Sequence, residues 1–264
     1  MRVVSVANHK GGVGKSSTAE HLAWLFANRH RLRTLLIDMD PQGSLTEALG
    51  VTDAEGASMA EVLGGSDHPA RKIKTILRDL SGGLFLAPGD IAMARSEHAL
   101  ASRPLGRELV LRTALETIEK QFDVCFIDCP PSLGQLTFNA LFASEGVIIP
   151  TGPTAKDLRG LRLFRETLDE IRPYHPLHEL GVLLTMFQPN IKLHQRVLAE
   201  LEAAHEQGAL RLFRTHIGRS VKVSEAEELG CSLFEYASKN PRAAEYESLA
   251  REVAECLSIS AAVA

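Results

Sequence analysis

The sequence predicts an α/β fold: a doubly wound, mostly parallel sheet with helices on both faces. Three observations predict it. Short apolar, β-branched runs alternate along the chain with stretches of helical spacing, the pattern of βαβ units. The runs are continuously apolar, as strands covered on both faces must be. The first run leads directly into a glycine-rich loop and a helix, the arrangement that puts ligand sites at the carboxyl ends of parallel strands.

The elements follow in order. Residues 3–7 read as a buried strand and 17–30 as a helix. Thr34, Leu35, Leu36 and Ile37 make a second strand that ends at Asp38. Residues 50–82 are less regular, with Gly64-Gly65 and Gly82-Gly83 marking turns and a short helix expected over 71–80. A strand at 84–87 ends in a turn at 88–90. Leu109, Leu111, Ala114, Leu115 and Ile118 give 107–121 the spacing of an amphipathic helix. Strands follow at 123–128, 146–150 and 181–185, with a helix between the first two. Helices are expected over 158–171, 195–205 and 242–257.

Composition narrows the class. A length of 264 residues suits one domain over 1–264, and 45% hydrophobic residues supply a substantial core. No apolar run approaches the roughly 18 residues of a membrane span. Met1-Arg2-Val3 enters the first strand at once, so no signal peptide is expected and the chain is expected in the cytoplasm. Cys125, Cys129, Cys231 and Cys256 form no C-x-x-C pair. That spacing argues against zinc or iron–sulfur ligation, and Cys125 and Cys129 are expected to pack in the core. The net charge of −4 does not announce a nucleic-acid binder, so any such binding needs a local basic patch.

Residues 8–18 read Asn8-His9-Lys10-Gly11-Gly12-Val13-Gly14-Lys15-Ser16-Ser17-Thr18. Glycines let backbone N–H groups crowd around phosphate oxygens, and the helix start adds positive potential. A lysine placed as Lys15 reaches the β- and γ-phosphates, and a hydroxyl placed as Ser16 ligates Mg²⁺. The general pattern G-x-x-x-x-G-K-[ST] wants glycine at position 9, where this chain has His9; it carries instead a second lysine, Lys10. Asp128 ends an apolar strand before Cys129-Pro130-Pro131, where a carboxylate holds the Mg²⁺ shell. Asp38-Met39-Asp40-Pro41-Gln42 ends another. An Asp-rich turn explains that pair alone; beside a triphosphate, two carboxylates call for a metal between them.

The form K-G-G-x-G-K-S, with I-D-x-P-P at Asp128 and D-x-D-P-Q at Asp38 and Asp40, resembles the ParA family of deviant Walker A (ParA/MinD-type) ATPases. The likeness covers most of the chain, including Leu86-Ala87-Pro88-Gly89, the stretch 215–226 and a closing helix with Tyr246, Leu249, Ala250 and Glu252. It implies a P-loop fold and an ATP hydrolase with ATP and Mg²⁺ as cofactors. Nucleotide contacts are implied at Lys10, Gly11, Gly12, Val13, Gly14, Lys15, Ser16 and Ser17. The adenine is implied near 185–189 and 217–221, with Phe187 and Pro189 among its contacts. Lys15 serves the phosphates in cis, Lys10 crosses to phosphates held by a second subunit, and Asp40 orients the attacking water. Ser16, Asp38 and Asp128 serve the metal, Asp38 from behind its waters. The implied partners are a second copy on ATP and a ParB-like activator.

The departures are Gly218 where the family usually has proline, an altered segment at 153–160, and Asn190 where relatives often carry a DNA-contacting arginine. Many relatives bind double-stranded DNA non-specifically on the nucleoid, and here Arg219, Lys222, Lys192 and Arg196 are the candidate phosphate contacts. Lys156, Arg159, Arg162 and Arg165 recur every three residues, either as a second DNA surface or as a solvated face broken by Asp157 and Glu166. No lysine or arginine follows Arg251, so a membrane-docking basic tail of the MinD kind is not expected. Chromosome or plasmid partition is the leading reading. A positioning ATPase for a protein cargo and an ATP-dependent metabolic ligase or synthetase are the alternatives.

Overall fold

The apolar runs pair as one seven-stranded sheet, ordered β3-β4-β2-β5-β1-β6-β7. In the computed structural model, which describes residues 1–51, 57–64 and 69–259, the elements are β1 (Arg2–Val6), α1 (Lys15–Asn28), β2 (Thr34–Asp38), α2 (Ser44–Ala48), α3 (Met59–Leu63), β3 (Arg78–Asp79), β4 (Leu84–Ala87), α4 (Met93–Ala101), α5 (Val110–Glu116), β5 (Val124–Asp128), α6 (Gln135–Ala143), β6 (Gly146–Thr151), α7 (Ala155–Ile171), β7 (His178–Leu184), α8 (Lys192–Glu206), α9 (Val221–Glu228), α10 (Leu233–Tyr236) and α11 (Pro241–Cys256). Gly65, expected in a turn, and the tail from Ser260 lie outside the described residues.

All pairings are parallel except β3 with β4. Period-two alternation sends Leu35, Ile37, Cys125 and Ile127 to the face covered by α3 to α8. It sends Val4, Val6, Leu36 and Phe126 to the face covered by α1, α10 and α11. Both faces are therefore dry, as the continuous apolar strands require. Phe126 is fully buried and meets Phe26 of α1 edge-on, with ring centroids 5.1 Å apart. This contact seats α1, and with it the glycine loop, over the middle of the sheet. Cys125 and Cys129 are buried core residues, as expected.

Several expected boundaries differ. Residues 71–80 form no α-helix. Ile73–Thr75 is a single 3-10 turn, and Arg78 and Asp79 then pair with Leu86 and Phe85 as an edge strand. The edge of β4 offers backbone partners that a short, half-exposed helix would leave unused. The helix expected over 107–121 is shorter, Val110–Glu116, followed by a 3-10 turn at Glu119–Gln121. α7 begins three residues earlier than expected because Thr154 and Asp157 form a capping box. The short helices α3 and α10 start on the same device, Ser58 with Glu61 and Ser232 with Glu235.

Replacing Phe126 with alanine is expected to cost about 3–5 kcal/mol of stability, the range for deleting a buried aromatic ring. Urea unfolding of parent and variant measures it.

Candidate nucleotide-binding site

β1 delivers the chain into the glycine loop at the carboxyl edge of the sheet. Side-chain bonds fix that loop. Asn8 Nδ2 donates to Pro150 O at 2.8 Å, Lys10 N donates to Asn8 Oδ1 at 3.1 Å, and Thr185 Oγ1 donates to Val13 O at 2.9 Å. Gly12 and Gly14 have φ of 71° and 77°, a left-handed conformation that other residues adopt only under strain. Val13 is buried and anchors the loop, whereas the peptides of Gly11 and Gly12 are exposed. α1 starts at Lys15 with Gly14 as N-cap and no side-chain cap. Its first amides are therefore free to meet an anion.

Parallel register brings the carboxylates together. Asp38 and Asp128 are register partners at the ends of β2 and β5, and Val6 stands opposite Asp128 on the other side. Asp38 is fully buried. Its Oδ1 accepts from Asp40 N at 3.0 Å, and its Oδ2 accepts from Thr46 N at 3.0 Å and Thr46 Oγ1 at 2.7 Å. Burial nevertheless pushes its carboxyl up to about 6. Asp128 is buried as well, and burial followed by the neighbouring Asp38 holds its carboxyl well above the usual range; Ser16 and Lys15 offset part of this. Its Oδ1 has no hydrogen-bond partner among the described residues. Lys15 is buried, its Nζ donates to Lys10 O at 3.1 Å, and burial lowers its pKa against the opposing pull of Asp128.

An orphaned carboxylate oxygen beside a second buried carboxylate and a hydroxyl fits a hard divalent cation. Among the described residues no three His, Cys, Asp or Glu side chains form a metal cage. The donors present fit Mg²⁺, with Ser16 and Asp128 the residues that would hold it and Asp38 behind them.

Above these groups lies an open cleft of about 1000 Å³. The glycine loop, Lys15, Ser16, Ser17 and Asp40 line its phosphate end; Thr185, Met186 and Ile217, Gly218, Arg219 and Ser220 line the other. Phe187 and Pro189, expected at the adenine, do not border the cleft. The Phe187 ring turns toward His194 and His216 instead. Its backbone bridges to Gly218 and so joins the two loops. Lys10 also lies outside the lining. Its ammonium is paired with Asp157 Oδ1, while Asp157 Oδ2 completes the α7 cap with Thr154.

The basic candidates divide. Arg219, Lys192 and Arg196 are exposed, and the Phe187–Gly218 bridge places the loop that leads into α8 beside the loop that carries Arg219. Lys222 is committed to Glu225 at 2.6 Å and lies over the Tyr236 ring. Half of the stripe on α7 is engaged as well. Arg162 pairs with Glu200 and Arg165 with Glu179, and Asp157 faces inward instead of interrupting the stripe. Sequence reasoning did not reach Thr46, and it placed Asp157 only as a break in the α7 stripe and Thr185 only near the adenine, not as partners of Lys10 and of the Val13 carbonyl. Only Asp157 carried a local signal, the Thr154-x-x-Asp157 box.

The raised Asp38 carboxyl has a stability consequence. Its value moves from the ordinary 3.8 to about 6 on folding, so the folded chain keeps a proton that the unfolded chain has lost. The stabilisation is full below about pH 4 and lost as pH rises to about 6. Asp38→Asn, which does not ionise, is expected to gain about 2 kcal/mol on the parent between pH 4 and pH 7, read by urea unfolding without nucleotide or Mg²⁺.

Comparison with known proteins agrees with this geometry. A family model described as an AAA domain matches residues 1–178. The chromosome-partitioning ATPase Soj of Thermus thermophilus is 36% identical over 258 residues, covering 96% of this chain and 95% of that protein. McdA from Cyanothece, solved in complex with ATP, superposes with a TM-score of 0.85 at 25% identity, covering 98% of this chain and 97% of its own. The cobyrinic acid a,c-diamide synthase of Mycobacterium smegmatis, solved with ADP and magnesium, does so with a TM-score of 0.83 at 31% identity, covering 99% of this chain and 97% of its own. A phosphate loop with a second lysine, carboxylates at the ends of β2 and β5, and likeness to Soj along nearly the whole chain make this protein a member of the ParA/MinD-type family of partition ATPases.

Proposed function

We propose that the chain hydrolyses ATP with Mg²⁺, pairs with a second copy on ATP, binds DNA non-specifically as that pair, and is reset when a ParB-like partner stimulates hydrolysis. The cargo is chromosomal or plasmid DNA, and the reading puts the protein in the cytoplasm on the nucleoid. The observation that carries it is the position of Lys10. Residues 11–17 of the same loop border the cleft, or in Val13's case anchor it, while Lys10 turns away to Asp157. A lysine that does not serve its own nucleotide is free to serve another subunit's once the Asp157 pair opens.

Phosphoryl transfer to water needs positioning and charge neutralisation more than covalent help. Loop amides and Lys15 hold the phosphates in cis. Mg²⁺, held by Ser16 and Asp128, would neutralise charge on the phosphates. Asp40, half-buried on the cleft wall and fixed by accepting from Gln42 N at 3.0 Å, orients the attacking water. Lys10 completes the charge from the second subunit, so turnover requires the pair.

Lys10→Ala is therefore expected to keep ATP binding and to lose ATP-dependent pairing and turnover. Sizing chromatography with ATP and a phosphate-release assay read this, and unchanged pairing with unchanged turnover refutes it. For DNA, a shift assay with ATP and with ADP at two salt concentrations is expected to give a complex only with ATP, weakened by salt. Arg219→Glu weakens it uniformly across DNA sequences.

The likeness to the diamide synthase supports an ATP-dependent synthetase as the second reading. ADP release that depends on a carboxylate substrate, and not on DNA, favours it.

A further inference from the structure

The segment that walls the cleft beside Met186 is held from two sides. On the sheet side, Ile217 N donates to Leu184 O at 2.9 Å and Phe187 N donates to Ile217 O at 3.0 Å. On the other side, α11 holds it. Gly218 N donates to Glu245 Oε2 at 2.9 Å, and Arg242 Nη1 donates to Arg219 O at 3.3 Å. Arg242 Nη2 pairs with Glu245 Oε1 at 2.6 Å. Arg242 and Glu245, three residues apart on the first turns of α11, thus form one brace on two consecutive residues, Gly218 and Arg219. The start of α11 is itself fixed, because Asn240 caps it by accepting from Arg242 N at 3.0 Å and Pro241 follows at the first helical position.

Gly218 does not adopt left-handed backbone, so its lack of a side chain answers to space. A Cβ there would lie 1.9 Å from Arg242 Nη1 and 2.5 Å from Arg242 Cζ. That guanidinium is engaged at both terminal nitrogens, while its buried Nε has no hydrogen-bond partner among the described residues. Proline, the usual residue of the resembling family here, would remove the N–H that Glu245 accepts and fill the space Arg242 occupies. This chain substitutes a brace from α11 for the stiffness of a proline ring.

We propose that Arg242 and Glu245 are positioning residues that set the 217–219 wall against the nucleoside half of the bound nucleotide. The inference rests on reading the cleft as the ATP site. The brace touches the wall from behind and not the glycine loop, so its effect is confined to nucleoside binding.

Titration calorimetry of the full chain with Mg-ATP and with magnesium triphosphate tests this. Arg242→Ala is expected to bind ATP about tenfold more weakly, the scale of one hydrogen bond to a charged group, with triphosphate affinity unchanged. Arg242→Lys recovers part of the loss. Gly218→Pro weakens ATP binding further, and combining it with Arg242→Ala restores affinity relative to Gly218→Pro alone, because the clash is gone. Unchanged ATP affinity in Arg242→Ala, equal losses for ATP and triphosphate, or strict additivity of the double variant overturns the inference. A parent chain that binds neither ligand overturns the nucleotide reading itself, and the inference with it.

Discussion

Two carboxylates buried side by side set the terms for everything at the carboxyl edge of this sheet. The parallel register of β2 and β5 makes Asp38 and Asp128 neighbours, and the helices on both faces exclude water from them. Desolvation resists ionisation of both. The surroundings read as answers to that cost. Two amides and a hydroxyl converge on Asp38. Lys15 is drawn into a buried position beside Asp128 in spite of its own desolvation. What stays unanswered, one oxygen of Asp128, is the feature that fits a cation arriving with its nucleotide.

The same constraint explains the form of the glycine loop. An anion that brings a cation has to be met by donors that add no further carboxylate and no bulk. Exposed peptides at Gly11 and Gly12 and an uncapped helix start meet it. Val13 and Thr185 hold the loop from beneath, so its open amides rest on a rigid support. Rigid donors lose little freedom when the ligand binds, which is what electrostatic preorganisation requires.

The readable parts of the molecule are those written contiguously. The phosphate loop, Asp40 and Asp128 lie in short motifs whose chemistry is fixed by local spacing. The strands were readable because burial on both faces leaves an unbroken apolar run. Partnerships made by the tertiary fold were not. Lys10 and Asp157 stand 147 residues apart, and only the positions of β1 and β6 in the sheet bring them together. Thr185 reaches Val13 from 172 residues away. The expected helix at 71–80 failed for a related reason: an unpaired sheet edge decides local structure there, and helical spacing over ten residues does not reveal it. Phe187 was placed by family position, yet the direction of its ring depends on His194 and His216, which the linear sequence does not align.

Asp157 joins two structures in one residue, since one of its oxygens caps α7 and the other holds Lys10. Lys10's freedom and the order of the α7 start are therefore linked variables: whatever draws the lysine away perturbs the helix start, and whatever perturbs that start changes the lysine's availability by the same free energy. Seventeen residues of helix extend roughly 25 Å. Along that length, Arg162 and Arg165 tie α7 to α8 and to the edge strand β7. α7 thus ties the glycine loop, through Lys10 and Asp157, to α8 and to the edge strand β7.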